Sequence, residues 1–166
     1  DKWFLSQLKI ICDMENEIKK FFETHIHSKP WNQVISLISS ESLKKWKQTG
    51  FADEQIAFIL LNSIDKSSSI SLSDISTKIR SHRINKNIRP VAKKIDTTSA
   101  EYPSFSNYYY FTYWGQVNDF IASNQSKKGV LVLGGGAYRI GTSVEFDWCG
   151  VSCSQRLKEL GYDSIM

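Results

Sequence analysis

The run Gly129-Val130-Leu131-Val132-Leu133, closed by Gly134, Gly135 and Gly136, constrains this chain more than any other stretch. An apolar run this short, ended by residues that turn freely, is how a buried parallel strand hands the chain to a helix. The pattern predicts a helix from about Ser143 to Leu160, stopped by Gly161 in the position that follows a helix end. Asp163 to Met166 begins a second strand, so the unit reads β-loop-α-β. A parallel pair needs further strands and covering helices, so these residues are expected to open an α/β domain without completing it.

The glycine turn invites two phosphate-binding readings, and neither pattern is complete. A dinucleotide loop needs G-x-G-x-x-G, but Arg139 stands where the third glycine belongs after Gly134 and Gly136. A P-loop needs G-x-x-x-x-G-K-[ST]. Gly136 and Gly141 have that spacing, yet Thr142 replaces the lysine whose ammonium would meet the terminal phosphates. A tight strand-to-helix turn explains Gly134, Gly135, Gly136 and Gly141 without a ligand.

The residues before the turn read as helices. Phe4, Leu8, Ile11, Ile18 and Phe21 or Phe22 recur at helical spacing over Trp3 to His27, with charged residues between them. Pro30 starts a short second helix bearing Trp31, Val34, Ile35 and Ile38, and Ser42 to Gln48 a third, ended by Gly50. Asp53 is expected to cap a fourth helix through Asn62. The serine-rich section 64–73 is poorly suited to regular structure. Ser71 and Asp74 then form a capping-box-like start for a helix bearing Ile75 and Ile79. Pro90 to Trp114 alternates aromatics and threonine, as an extended segment does. Gly115 to Lys128 reads as a polar linker holding the domain boundary.

Function classes narrow on composition. At 166 residues there is room for one domain and part of another, and 41% hydrophobic with 23% charged residues suits a packed globular chain. No apolar run approaches the roughly 18 residues of a membrane span. Cys12, Cys149 and Cys153 are too unevenly placed for a disulfide framework, which fits a reducing, cytoplasmic setting. Cys149 and Cys153 are four apart on one helix face and are expected to be buried packing residues. The chain starts at Asp1 without a methionine and is expected to be a piece of a longer protein. His25 and His27 lack a third metal ligand nearby. Arg80, Arg83, Lys86, Arg89, Lys93 and Lys94 form a basic run without carboxylates. No aromatic side chain is interleaved, so a solvated face or intramolecular pairing is expected rather than nucleic acid.

The wording of the sequence goes further than its spacing. Leu133-Gly134-Gly135-Gly136, Arg139-Ile140-Gly141, Glu145-Phe146-Asp147-Trp148-Cys149 and Leu160-Gly161-Tyr162 together resemble the start of the second synthetase half of carbamoyl-phosphate synthetase large subunits. Asp1-Lys2-Trp3-Phe4-Leu5-Ser6-Gln7-Leu8 and Gly50-Phe51-Ala52-Asp53-Glu54-Gln55-Ile56-Ala57 resemble that family's helical domain. Pro90 to Glu101 and Tyr108 to Tyr113 resemble its connector, and the likeness is weakest over 60–87.

The resemblance implies a mainly α chain, with a helical oligomerisation and connector domain over 1–124. An incomplete β-α-β piece of an α/β pre-ATP-grasp domain follows over 125–166. It implies a parent ligase that uses ATP and Mg to make carbamoyl phosphate from bicarbonate and glutamine-derived ammonia. Neither ATP nor Mg is expected to bind these residues, and no catalytic or metal-binding residue is expected among them. Arg139, Ser143 and Glu145 become candidates for lining the passage that carries carbamate between the halves, with serine at 143 where many bacterial members have glycine. The alternative for Glu145 is a first-turn carboxylate favoured by the helix dipole. Asp96 and Glu101 become structural rather than an acid-base pair. The expected partners are other domains of the same synthetase, a glutaminase domain or subunit, and further copies in a dimer or tetramer, with no nucleic acid and no membrane. The competing expectation is a free-standing helical module that binds a nucleotide or nucleic acid.

Overall fold

The computed structural model describes residues 1–64, 70–105, 108–119, 128–135 and 145–166, which fall into two compact units, Asp1–Phe120 and Ile121–Met166. Among the described residues the chain is mainly α, with small sheets. The first unit holds helices α1 (Lys2–Ile26), α2 (Trp31–Leu37), α3 (Ser40–Gln48), α4 (Asp53–Asn62) and α5 (Leu72–Asn85), then strands β1 (Val91–Lys94) and β2 (Tyr109–Thr112).

One core joins the five helices. The C-terminal half of α1 buries Met14, Ile18 and Phe22, α2 buries Val34 and Ile35, and α3 buries Leu43 and Trp46. Ile56, Ala57, Ile59 and Leu60 of α4 and Ile75 and Ile79 of α5 complete it. Phe21 and Phe22 meet Trp46 edge-on, with ring centroids 5.6 and 6.1 Å away. That is the offset geometry aromatic quadrupoles prefer.

Caps set the helix ends. Asp1 and Ser71 cap α1 and α5 by accepting from Trp3 N and Asp74 N. The third helix begins two residues before the expected Ser42, because the Ser39 hydroxyl accepts from Ser42 N. Asp53 is not the cap of α4: Ala52 holds that position, and the Gln55 side chain accepts from its backbone N–H. The Asp53 carboxylate is drawn away by cations on α3 and α5. Helices α3 and α5 end in Schellman turns, in which Phe51 N donates to Trp46 O and Ile88 N to Arg83 O. The residue that reverses the chain is Gly50 (φ 108°) in one and Asn87 (φ 56°) in the other.

Strands β1 and β2 pair antiparallel, Val91 opposite Thr112 and Lys94 opposite Tyr109. The expected linker after Trp114 is not free at its start. Asp119 N donates to Ala92 O, Ala92 N to the Asn118 side chain, and Lys94 N to the Asp119 carboxylate. Residues 118 and 119 thus bond the open edge of β1, which a charged, mid-linker sequence gave no reason to expect.

In the second unit β3 (Gly129–Leu131) and β4 (Asp163–Ile165) pair parallel, with Gly129 opposite Asp163 and Leu131 opposite Ile165, and α6 (Glu145–Glu159) lies between them in sequence. The β-loop-α-β reading holds. Gly161 (φ 85°) stops the helix, with Tyr162 N donating to Leu157 O. The expected burial does not hold: Leu131 and Leu133 are exposed, and Val132 alone is buried there. A two-stranded sheet with one helix packed on it covers one side of each strand and leaves the other open.

Candidate functional site

The glycine turn sits at the C-terminal end of β3, where parallel sheets carry their ligands. Gly134 and Gly135 are described and exposed; Gly136, Arg139, Gly141 and Ser143 lie outside the described residues. Glu145 is the first residue of α6. Beside the turn is an open, mostly apolar hollow of about 400 Å³, walled by Val130 to Gly135 and by Cys149, Gly150 and Cys153 of α6. The two cysteines are therefore exposed, not buried as the sequence suggested, because they border this hollow. Gly150 is the buried member of that face. A Cβ there would stand 3.4 Å from Met166 Cε and 4.0 Å from Gly134 Cα, so its smallness lets the helix approach the strands. Ser164 donates to Ser154 at 2.7 Å and ties β4 to α6.

The first unit holds a charged site that no motif announces. Asp53, at the first turn of α4, accepts from Arg83 Nε at 3.0 and 3.1 Å and from Nη2 at 2.7 Å. Lys47 Nζ lies 3.0 Å from Asp53 Oδ1. The three side chains retain 7% (Arg83), 12% (Asp53) and 6% (Lys47) of their exposure. Arg83 Nη1 also donates to Ile88 O at 2.8 Å. The Tyr113 ring covers the cations, its centroid 5.2 Å from Lys47 Nζ and 5.7 Å from Arg83 Cζ.

Burial of two cations with one carboxylate divides the electrostatics unevenly. Burial works to raise the Asp53 carboxyl, but the hydrogen bonds from Arg83 and then Lys47 outweigh it and hold it below the usual carboxylate range. Lys47 moves the other way for a cation: burial lowers it despite its contact with Asp53. Arg83 is raised, chiefly by its bonds to Asp53. Geometry favours Arg83 as the true counter-ion, since it supplies three hydrogen bonds and Lys47 one contact. The site fastens elements: α3, α4, α5 and the segment after β2. Gln48 Nε2 donates to Tyr113 O and Trp114 Nε1 to Gln48 O, which extends the fastening along the chain.

Two members of the basic run are paired within the chain. Arg83 is consumed by Asp53, and Lys93 pairs with Asp119, whose carboxyl it holds below the usual range. Asp96 accepts from Thr98 N, Thr98 Oγ1 and Ala100 N, which makes it a turn residue. Among the described residues no three His, Cys, Asp or Glu side chains gather as a metal site, and no helix is long and apolar enough to cross a membrane.

Among the described residues, apolar surface is open on α1 and on the β1–β2 pair. On α1 the stripe Phe4, Leu8, Ile11, Met14, Ile18, Phe22 is continuous, but only its last three members are buried. Phe4 is 63% and Leu8 57% exposed, with Trp3 and Leu5 beside them. On the β1–β2 hairpin, Tyr110 and Phe111 face outward, near Trp114.

Two family models match the chain. Residues 1–74 match the carbamoyl-phosphate synthetase large chain oligomerisation domain, and residues 126–166 the carbamoyl phosphate synthase preATP-grasp domain. Over all 166 residues the chain is 42% identical to multifunctional protein pyr1-3 of Dictyostelium discoideum and 40% identical to the mitochondrial carbamoyl-phosphate synthase [ammonia] of Homo sapiens. It is 36% identical to the mitochondrial arginine-specific carbamoyl phosphate synthase large chain of Schizosaccharomyces pombe. The chain spans 6%, 9% and 12% of those three proteins respectively.

Proposed function

Because the chain belongs to the carbamoyl-phosphate synthetase large-chain family, we propose that it serves such a ligase as a connector and self-association element. On this reading residues 1–124 are the helical connector and 125–166 open the α/β domain of the next synthetase half. The parent makes carbamoyl phosphate from bicarbonate, glutamine-derived ammonia and ATP. A cytoplasmic parent working with a glutaminase is the form we propose. A tagged full-length protein that co-purified with mitochondria would overturn the compartment.

The chain's own residues are proposed to act by holding and joining, not by chemistry. ATP with Mg supplies phosphoryl transfer in the parent, which depends on positioning and charge stabilisation. The residues present do not fit that group. Thr142 replaces the P-loop lysine, and no carboxylate trio stands among the described residues. No step is therefore assigned to them. Arg139, Ser143 and Glu145 are proposed to border the carbamate passage. The reading is supported by the place of Glu145 at the start of α6, just after the glycine turn. In the full synthetase, Glu145→Gln is expected to lower carbamoyl phosphate formed per ATP hydrolysed. Unchanged coupling would remove Glu145 from the passage.

The observation that carries self-association is the half-covered stripe of α1. Its buried half meets α2 and α4, and its first three turns leave the same apolar face exposed among the described residues. A second copy can cover them, at about 25 cal/mol per Å² of apolar surface removed from water. Sedimentation equilibrium across a wide concentration range tests this. A reversible dimer or tetramer is expected, and a monomer at every concentration would withdraw the self-association claim.

A further inference from the structure

We propose that an open hollow between α3, the end of α5 and the segment after β2 binds a small phosphorylated molecule. The hollow has a volume of about 590 Å³, within the range of small-ligand sites. Lys44, Lys86 and Arg89 border it, against one carboxylate, Glu41. None of the three cations has an ion pair among the described residues, although the other cations of the basic run nearest to them are consumed by Asp53 and Asp119. Lys86 and Arg89 of the basic run, together with Lys44 of α3, thus line one cavity with no ion pair among the described residues.

The remaining walls suit the same ligand. Ser40 and Glu41 bring the first-turn amides of α3, where the helix dipole favours an anion. Arg83 lies behind the wall and donates to Ile88 O, so the buried triad, with two cations and one carboxylate, adds positive potential from inside. Ile88, Val91 and Tyr113 give an apolar side for the organic part of a phosphate ester. Gly115 forms part of the same wall, and a Cβ there would collide with Val91 Cγ2. The Arg89 fork can meet two phosphate oxygens while Lys44 and Lys86 act as point charges. The inference is independent of self-association and of the carbamate passage.

The test is amide chemical-shift mapping of the 166-residue chain at low salt, with inorganic pyrophosphate and phenyl phosphate as probes. Saturable shifts are expected at residues 40–41, 86–89 and 113–116, with phenyl phosphate also moving Tyr113. Lys86→Gln/Arg89→Gln is expected to weaken both probes by at least about tenfold, and Lys44→Gln by roughly threefold. These exposed or half-exposed, unpaired side chains can change without disturbing the core, and an unchanged spectrum elsewhere verifies that. No saturation by about 10 mM probe, shifts centred elsewhere, or affinity untouched by the double variant would each overturn the proposal. So would binding of a single-stranded RNA oligonucleotide with no response to either small phosphate.

Discussion

Replacing Asp53 with asparagine removes the one carboxylate that compensates two buried cations and changes almost no volume. The oxygen of the new amide can still accept from Arg83, but its NH₂ then faces a cationic donor, and Lys47 loses its counter-charge. All three side chains keep at most 12% of their exposure, so little water reaches the gap. Breaking a buried pair from one side costs about 3–5 kcal/mol, a large part of the roughly 5–15 kcal/mol that holds a domain folded. Urea unfolding followed by far-ultraviolet circular dichroism is expected to show that loss with an unchanged slope, and a melting point lower by roughly 10–20 °C. Lys47→Met is the contrasting variant. Because burial already lowers Lys47 and Arg83 alone can satisfy Asp53, its effect is expected to stay within about 1 kcal/mol. Equal losses in the two variants, or a loss under about 1 kcal/mol for Asp53→Asn, would refute this division of roles. The pH dependence follows the same logic. The depressed Asp53 carboxyl stabilises the fold above the unfolded carboxylate value, about 4, and that stability drains away as pH falls through the folded value. The Asp53→Asn variant should lose most of this acid sensitivity.

Other outcomes test separate parts of the account. Leu8→Glu, on the open half of α1, is expected to abolish any concentration-dependent association while leaving the melting point within about 2 °C, since surface changes seldom exceed ~0.5 kcal/mol. Phe22→Ala, at full burial beneath Trp46, should cost about 3–5 kcal/mol in denaturant unfolding. Asn87→Gly is expected to hold or raise stability because of the positive φ at the end of α5, whereas Asn87→Ala should lose about 1 kcal/mol. Gly115→Ala should destabilise the β1–β2 hairpin, measured as faster amide exchange at Val91 to Lys94, because Val91 occupies the space the new methyl needs.

Much of the fold is local, and local rules can be read from the chain. The apolar period of α1, the stop at Gly50 and Gly161, and the strand-turn-helix at 129–135 depend on residues within a few positions of each other. So does the family likeness, which rests on contiguous wording. The places where the sequence misled are those where distant residues compete for one group. Asp53 looks like a cap from its neighbours, but Lys47 and Arg83 claim its carboxylate. The polar residues 118 and 119 look like linker, but β1 leaves an edge for them to bond. Cys149 and Cys153 share a helix face, and only the packing of α6 on two strands decides that this face meets an open hollow. Arg83, 30 residues from Asp53, is the clearest case. Its charge is written in the sequence as part of a basic run; that it is buried, paired and covered by Tyr113 follows only once five helices have brought it there. Periodicity and turn chemistry act along the chain, whereas the partner of a buried charge is chosen across space.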